Sequence, residues 1–224
     1  MIKRLLLLLL FAIPLHAAPP SPYHIVLEAN TAAPFPFLSR FGTITLHVYP
    51  AGVRADSIWL NGFSRLGTST VTIQNPYARM YTTMPVSEIT SLIRKTTDED
   101  ALATTPPPIA PAVSGKVRGI AARRYRLLFG PEAWIDVWTT NVIPENAQLR
   151  KIVDALVRGI SPATAESWKS IPGTPLYVEL NFSHYKKLPL IRLKSFVMNN
   201  LGQEAALKVG NFYFKAPMLD AILK

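Results

Sequence analysis

The chain has 224 residues, of which 49% are hydrophobic, no cysteine, and a formal net charge of +10 at pH 7. The apolar content is enough for the core of one ordinary domain, and the absence of cysteine excludes both a disulfide-stapled extracellular scaffold and a lipid-modified bacterial anchor. The excess of cations favours contact with anionic lipid headgroups or polymers, although a basic charge that serves only solubility is the commoner case.

The first residues have the pattern of an export signal. Lys3 and Arg4 precede an apolar run over 5–13, which is followed by Pro14 and by the small residue Ala17. This pattern predicts a signal peptide over residues 1–17 and a mature protein in the periplasm or outside the cell. A membrane anchor is the alternative, but the run is well short of the roughly 20 residues that span a bilayer. Removing the two cations lowers the net charge from +10 to +8, and at this location lipid headgroups are nearer partners than nucleic acid.

The first half of the mature chain alternates apolar and polar residues with the period of a β-strand. A short strand is predicted over 23–28, followed by a proline-rich connection that contains Phe35 and Phe37. From Gly42 the alternation is regular, and it predicts a meander of four strands over 43–49, 53–60, 70–74 and 78–83.

A helix and a break follow this meander. Ser87 is placed to cap an amphipathic helix over 88–95, which carries Arg94 and Lys95 near its end. Residues 96–112 lose all periodicity and are rich in proline, which predicts a flexible linker or lid. We expect residues 18–224 to form a single domain around this break.

The stretch 117–140 is predicted to form a β-hairpin, with its turn at Phe129-Gly130-Pro131-Glu132. In its second strand Trp134, Asp136 and Trp138 share one face, while smaller and apolar residues take the other. Neither face is cleanly polar, so the strand needs cover on both sides, or cover on one side and a ligand on the other.

Two helices and two long strands complete the chain. Pro144 is predicted to start a strongly amphipathic helix that ends near Ile160, and Ser161-Pro162 to start a short helix with Trp168. Strands are predicted over 176–183 and 190–198, with a last one at 212–214. About nine antiparallel strands with three inserted helices indicate an α+β fold, in which a curved sheet closes around two or three amphipathic helices.

This order of elements resembles that of a known family. An exported basic chain with Gly42-Thr43-Ile44, Arg54-Ala55-Asp56 and Ala78-Arg79-Met80-Tyr81 in its first meander, then a helix, a proline-rich break and a second meander, is similar to the periplasmic lipoprotein-carrier (LolA-like) superfamily and its uncharacterised exported relatives. The resemblance covers most of the mature chain. It implies an incomplete β-barrel around helices, with an apolar hollow that receives acyl chains in the carriers. Arg54 and Arg79 are candidate counterparts of the arginine that helps to hold the carriers' lid closed.

The sequence contains no convincing catalytic, metal or cofactor motif. His24, His47 and His184 lie far apart without the spacing of a metal site, so we predict neither a metal nor a cofactor. Ser183 and Lys186 match a Ser-x-x-Lys pattern, but Ser183 ends a predicted strand instead of opening a helix, which makes coincidence the better explanation. The strand carboxylates, Asp56, Asp136 and Glu179, are each expected to pair with a nearby arginine.

Two sets of residues are candidates for binding. The aromatic set is either ordinary core or the wall of a ligand hollow, and it comprises Trp134, Trp138, Trp168, Tyr125 and Phe182. The basic set is either a solvated face or a contact for anionic lipid, and it comprises Arg124, Arg126, Arg192 and Lys194.

The first functional hypothesis is an exported, non-enzymatic binding or carrier protein whose apolar hollow takes a lipid or a lipoprotein acyl chain. The alternative is an envelope interaction module with a filled core that acts through its basic surface. A secreted hydrolase comes third, since it requires convergent polar groups in a cleft. An anionic membrane surface is a second candidate partner, nucleic acid is not expected, and the sequence leaves the oligomeric state open.

Overall fold

The computed structural model describes residues 22–29, 42–94, 104–183, 187–198 and 204–217. The predicted signal peptide and the proline-rich connection after the first strand lie outside the described residues. So do His184 and Lys186.

The described chain forms twelve strands and three α-helices. The first half comprises β1 (Tyr23–Ala29), β2 (Thr43–Tyr49), β3 (Gly52–Asp56), β4 (Asn61–Arg65), β5 (Thr70–Asn75), β6 (Met80–Pro85) and α1 (Val86–Arg94). The second half comprises β7 (Ile109–Val117), β8 (Ile120–Leu128), β9 (Ala133–Thr140), α2 (Ala147–Ile160), α3 (Pro162–Trp168), β10 (Thr174–Phe182), β11 (Leu188–Met198), a short 3-10 helix (Glu204–Leu207) and β12 (Phe214–Lys215).

All twelve strands belong to one sheet, in the order β12-β6-β5-β4-β3-β2-β1-β11-β10-β9-β8-β7. Neighbours are antiparallel except for β12, which runs parallel to β6. The two meanders join at β1, which pairs with β2 on one side and with β11 on the other. Among the described strands the sheet is open, with β7 and β12 at its edges. The predicted α+β class with a mostly antiparallel sheet is confirmed.

One face of the sheet packs against the helices, and we call it the helix face. Along β1 every second residue is buried, from Tyr23 through Ile25 and Leu27 to Ala29, which is the pattern of a strand with one face in the core. Leu149 of α2 lies in the same apolar cluster as these residues. The opposite face of the sheet, the outer face, carries most of the polar strand residues.

The helices α2 and α3 begin at capping side chains. The helix α1 begins at Val86, so the prediction that Ser87 caps it is wrong. The side chain of Asn146 accepts hydrogen bonds from the backbone N–H groups of Gln148 and Leu149, at 3.0 Å each. The helix α2 therefore starts at Ala147, and the prediction that Pro144 is its first residue is wrong. Ser161 caps α3 by accepting from the backbone of Thr164, as the Ser-Pro pair predicts.

Two strands lie where the sequence pattern predicts none. The Asn61-Gly62 pair has the composition of a turn, yet it opens β4, where Gly62 lies opposite Ile73. Residues 109–112, the end of the predicted proline-rich break, belong to β7. Pro111 fits there because β7 is an edge strand that bulges between Ala110 and Val113, so the missing backbone N–H breaks no ladder. The part of the break over 96–103 lies outside the described residues, as does Lys95 of the preceding predicted helix.

Candidate functional site

The five predicted aromatic residues divide between the two faces of the sheet. Trp168 is buried on the helix face and donates its indole N–H to Asp154 at 2.8 Å, and Tyr125 packs against the same cluster. Trp134 and Trp138 lie on the outer face, and Phe182 is exposed at the end of β10. The structure thus does not gather the five aromatic residues into one site. The helix face itself is packed with side chains from α2, α3 and the strands.

The outer face of β8, β9 and β10 carries a network that we call the polar–aromatic patch. Its members are Arg124 and Arg126 on β8, Trp134, Asp136 and Trp138 on β9, and Tyr177, Glu179 and Asn181 on β10. Arg126, Asp136 and Glu179 lie directly opposite one another in the register of the three strands. The guanidinium of Arg126 donates to both oxygens of Asp136, at 2.7 and 2.9 Å. It also lies 4.8 Å from the ring centre of Trp134, and that of Arg124 lies 5.8 Å from the ring centre of Trp138.

Both carboxylates in the polar–aromatic patch are occupied by donors. The hydrogen bond to Asp136 raises the pKa of Arg126, despite its partial burial, and the nearby charge of Glu179 acts in the same direction. The hydroxyl of Tyr177 donates to Glu179, and burial followed by this hydrogen bond raises the pKa of Tyr177 well above its usual value. These ionisation states fit a fixed charge network beneath large side chains.

Two polar atoms in the patch lack a partner among the described residues. They are the indole nitrogen of Trp134 and the side-chain oxygen of Asn181, on residues that face each other across β9 and β10. Asn181 is only 1% exposed. A ligand would have to displace the covering side chains before it could reach this donor and this acceptor.

Three of the four predicted basic residues are ion-paired. Arg126 binds Asp136, as described above, while Arg192 and Lys194 both bind the carboxylate of Glu28, at 2.6 and 3.1 Å. Hydrogen bonds from these two cations lower the pKa of Glu28. The basic set therefore presents less net charge to a partner than the sequence predicts.

Two histidines that are far apart in sequence meet on the outer face. His24 and His47 are directly opposite on β1 and β2, with ring centres 6.0 Å apart, and His47 lies 3.4 Å from Asp56. Burial raises the pKa of Asp56, but hydrogen bonds from His47 and Arg54 bring it below its usual value. Within the described ranges, no group of three histidine or carboxylate side chains could hold a metal ion. This contact depends on the register between β1 and β2, and the alternation of apolar and polar residues in the sequence does not reveal that register.

The end of the chain crosses the outer face of β3, β4 and β5, and we call residues 204–215 the C-terminal strap. Three side chains from these successive strands donate to three successive strap carbonyls: Arg54 to Ala206 at 2.8 Å, Arg65 to Leu207 at 3.3 Å, and Gln74 to Lys208 at 3.4 Å. The buried side chain of Leu207 packs against Tyr49 and Phe63. The strap then joins the edge of the sheet as β12.

A cleft of about 360 Å³ lies between the strap and strands β4 and β5. Its apolar lining comes from Phe63, Leu207 and Val209, and three threonines contribute small side chains. Arg65 and Lys208 also line the cleft and are exposed to solvent. The sequence pattern predicts only one short strand after residue 198, at 212–214, and gives no signal for this cleft.

Comparisons with known proteins leave the family open. No protein-family model matches the chain, and no curated protein matches it. Among solved structures, an uncharacterized conserved protein from Thermus thermophilus is similar over 88% of this chain and 90% of that chain, with 7% sequence identity and a TM-score of 0.49. At these values the likeness carries no argument about fold or function.

Proposed function

We propose that the chain is an exported, non-enzymatic binding protein for a lipid or a lipoprotein acyl chain, and that the acyl chain occupies the cleft beneath the C-terminal strap. The observation that carries the proposal is the combination of an apolar lining with exposed cations. At about 360 Å³ the cleft falls at the small end of the range for ligand pockets, which suits a narrow ligand such as a single acyl chain.

The charges around the cleft favour an anionic headgroup. Arg65 and Lys208 are exposed and line the cleft, so a carboxylate or phosphate could bind there while its tail lies on Phe63 and Leu207. Apart from Glu204 at its start, the strap contains no acidic residue. The arrangement matches an amphiphile with a negative head and an apolar tail.

We also propose that the sheet bends around α2 and α3 as an incomplete barrel of the LolA-like kind. In support, Gln148 and Lys151 of α2 donate to β4 and its following turn, at 2.6 Å to Ser64 and 3.0 Å to Thr68. Farther along the same helix, Val157 packs with residues of β8 and β9. In sheet order β4 and β8 are seven places apart, about 34 Å in a flat sheet, whereas a 14-residue helix is about 21 Å long.

The second candidate function is an envelope interaction module with a filled core. The observation that favours it is the packing of side chains between the helices and the sheet, where the first hypothesis placed the hollow. Such a module needs no acyl ligand, so the experiment on the cleft separates the two functions.

The experiment measures binding of dodecanoate to the purified mature protein by competition with a fluorescent fatty acid. Thr70 lines the cleft, so Thr70→Trp should fill it and lower the affinity about ten-fold or more. Thr43→Trp is the matched control, because Thr43 is an exposed strand threonine outside the cleft, and it should bind as the unmodified protein does. Lys208→Gln should weaken dodecanoate by about two- to five-fold and leave dodecanol unchanged. Absence of binding, or equal losses in the two tryptophan variants, would rule out the cleft as the site and favour the interaction module.

A further inference from the structure

One end of the sheet exposes a group of large apolar side chains, which we call the aromatic end. It consists of Ile58 and Trp59 in the β3–β4 turn, Tyr77 in the β5–β6 turn, and Phe212 and Phe214 in the C-terminal strap. All five are between 55% and 80% exposed. Eleven large apolar residues are exposed in the described part of the chain, so nearly half of them lie at this single end.

These side chains lie on neighbouring segments of the sheet. The rings of Trp59 and Tyr77 lie 5.6 Å apart, which joins the two turns. The backbone N–H of Phe214 donates to the carbonyl of Arg79 at 2.9 Å, which places the strap beside the β5–β6 turn. Phe212 lies two residues before this contact and is 80% exposed.

Both turns are held in a fixed shape. The side chain of Asn75 accepts from the backbone N–H groups of Tyr77 and Ala78, at 3.0 Å each. In the other turn the hydroxyl of Ser57 donates to the carbonyl of Leu60 at 2.7 Å. The aromatic side chains are therefore presented by ordered turns, which lowers the entropic cost of inserting them into a partner.

The charge around the aromatic end has one sign. Residues 57–60, 76–79 and 211–215, which form this end, contain no aspartate or glutamate but contain two cations, Arg79 and Lys215. The nearest strand carboxylate before the β3–β4 turn, Asp56, is paired with Arg54 at 2.8 Å. This end differs in that respect from the predicted basic set, whose cations are mostly bound to the protein's own carboxylates.

We infer that the aromatic end docks the protein onto a bilayer surface that contains anionic phospholipids. Tryptophan and tyrosine favour the region between headgroups and acyl chains, and phenylalanine and isoleucine extend into the apolar layer. The neighbouring cations Arg79 and Lys215 are attracted by the negative surface potential. Because the side chains sit on projecting turns, they can enter a deformable lipid surface without a complementary pocket, which a protein partner would have to provide.

The experiment measures sedimentation of the full mature chain with vesicles of phosphatidylcholine alone and of phosphatidylcholine mixed with phosphatidylglycerol. The unmodified protein should bind the anionic vesicles and bind the neutral ones more weakly. Trp59→Ser combined with Tyr77→Ser should lower the partition coefficient about ten-fold or more. Val142→Ser is the matched control. Val142 is similarly exposed, but it follows the last residue of β9, at the end of the sheet opposite the aromatic end. Arg79→Gln should weaken binding to anionic vesicles by about five-fold and leave neutral vesicles unaffected.

A second measurement uses the unmodified protein, so that it does not depend on the folding of any variant. Hydrogen exchange at 57–60 and 76–79 should slow when anionic vesicles are added. Unchanged exchange there, or equal partitioning of the double variant and Val142→Ser, would overturn the inference and leave a protein partner as the occupant of this end. The docking surface is separate from the cleft, so Thr70→Trp should bind vesicles normally even if acyl binding fails.

Discussion

At the scale of single residues, the outer face shows how buried carboxylates are kept charged. The side chain of Asp136 is 6% exposed, and Arg126 makes a two-pronged hydrogen bond to it while a third of its own surface stays in water. The alternation of β9 predicts that Trp134, Asp136 and Trp138 share a face, and the structure confirms it. The expectation that strand carboxylates pair with nearby arginines holds for Asp56 and Asp136. Glu179 instead accepts a hydrogen bond from Tyr177, which lies two residues earlier on the same face of β10.

Removing the charge of Asp136 should therefore destabilise the protein. In Asp136→Asn the guanidinium of Arg126 keeps one acceptor and loses its counter-ion, and we expect the free energy of unfolding in urea to fall by about 2 kcal/mol. This is less than for a fully buried pair because Arg126 is partly solvated. Glu166→Gln removes an exposed ion pair with Lys169 and should have a much smaller effect. Equal losses in the two variants would contradict the role assigned to Asp136.

At the scale of elements, the helices were easier to predict than the contacts between them. The apolar stripe of α2 indicates its existence and its buried face, and Asn146, a residue type that favours the N-cap, marks its start better than Pro144 does. The sequence does not reveal that Gly159 marks the point where α2 crosses α1. A Cβ at Gly159 would lie 2.8 Å from the Cβ of Ile93, so the helices approach one another more closely there than a larger residue allows.

This close approach reverses the usual effect of replacing a helical glycine. Alanine has a helix propensity about 1 kcal/mol better than glycine, but overpacking a tight contact costs about 1–3 kcal/mol. We expect Gly159→Ala to lower the free energy of unfolding by about 1 kcal/mol, measured by urea denaturation. Ser91→Ala in α1 serves as the control, because Ser91 is exposed and its replacement should be neutral or slightly stabilising. A stabilised Gly159→Ala would show that α1 and α2 can separate without loss.

At the scale of the whole molecule, the alternation patterns predict a mostly antiparallel sheet but do not determine which strands are neighbours. Pairing of β1 with β11 joins residues that are more than 160 positions apart, as in the contact of Glu28 with Arg192. Such a contact depends on the closure of the two meanders, which local patterns do not encode. The strap over the cleft was missed for the same reason, since its binding to Arg54, Arg65 and Gln74 is entirely non-local.

The bend proposed for the sheet can be measured directly, because the chain has no cysteine and spin labels attach only where one is introduced. Thr83 on β6 and Ser114 on β7 are exposed and lie ten places apart in the sheet. A flat sheet would separate them by about 48 Å, whereas the same arc bent through half a circle gives about 30 Å. We expect a distance near the lower value by pulsed electron spin resonance. A second pair, Thr43 with Thr83, is four strands apart and offset by four residues along the strands, so it should give about 23 Å, since so short an arc bends little. A value near 48 Å for the first pair with a normal value for the second would contradict the incomplete barrel. The cleft and the aromatic end would then have to be explained as features of a flat sheet.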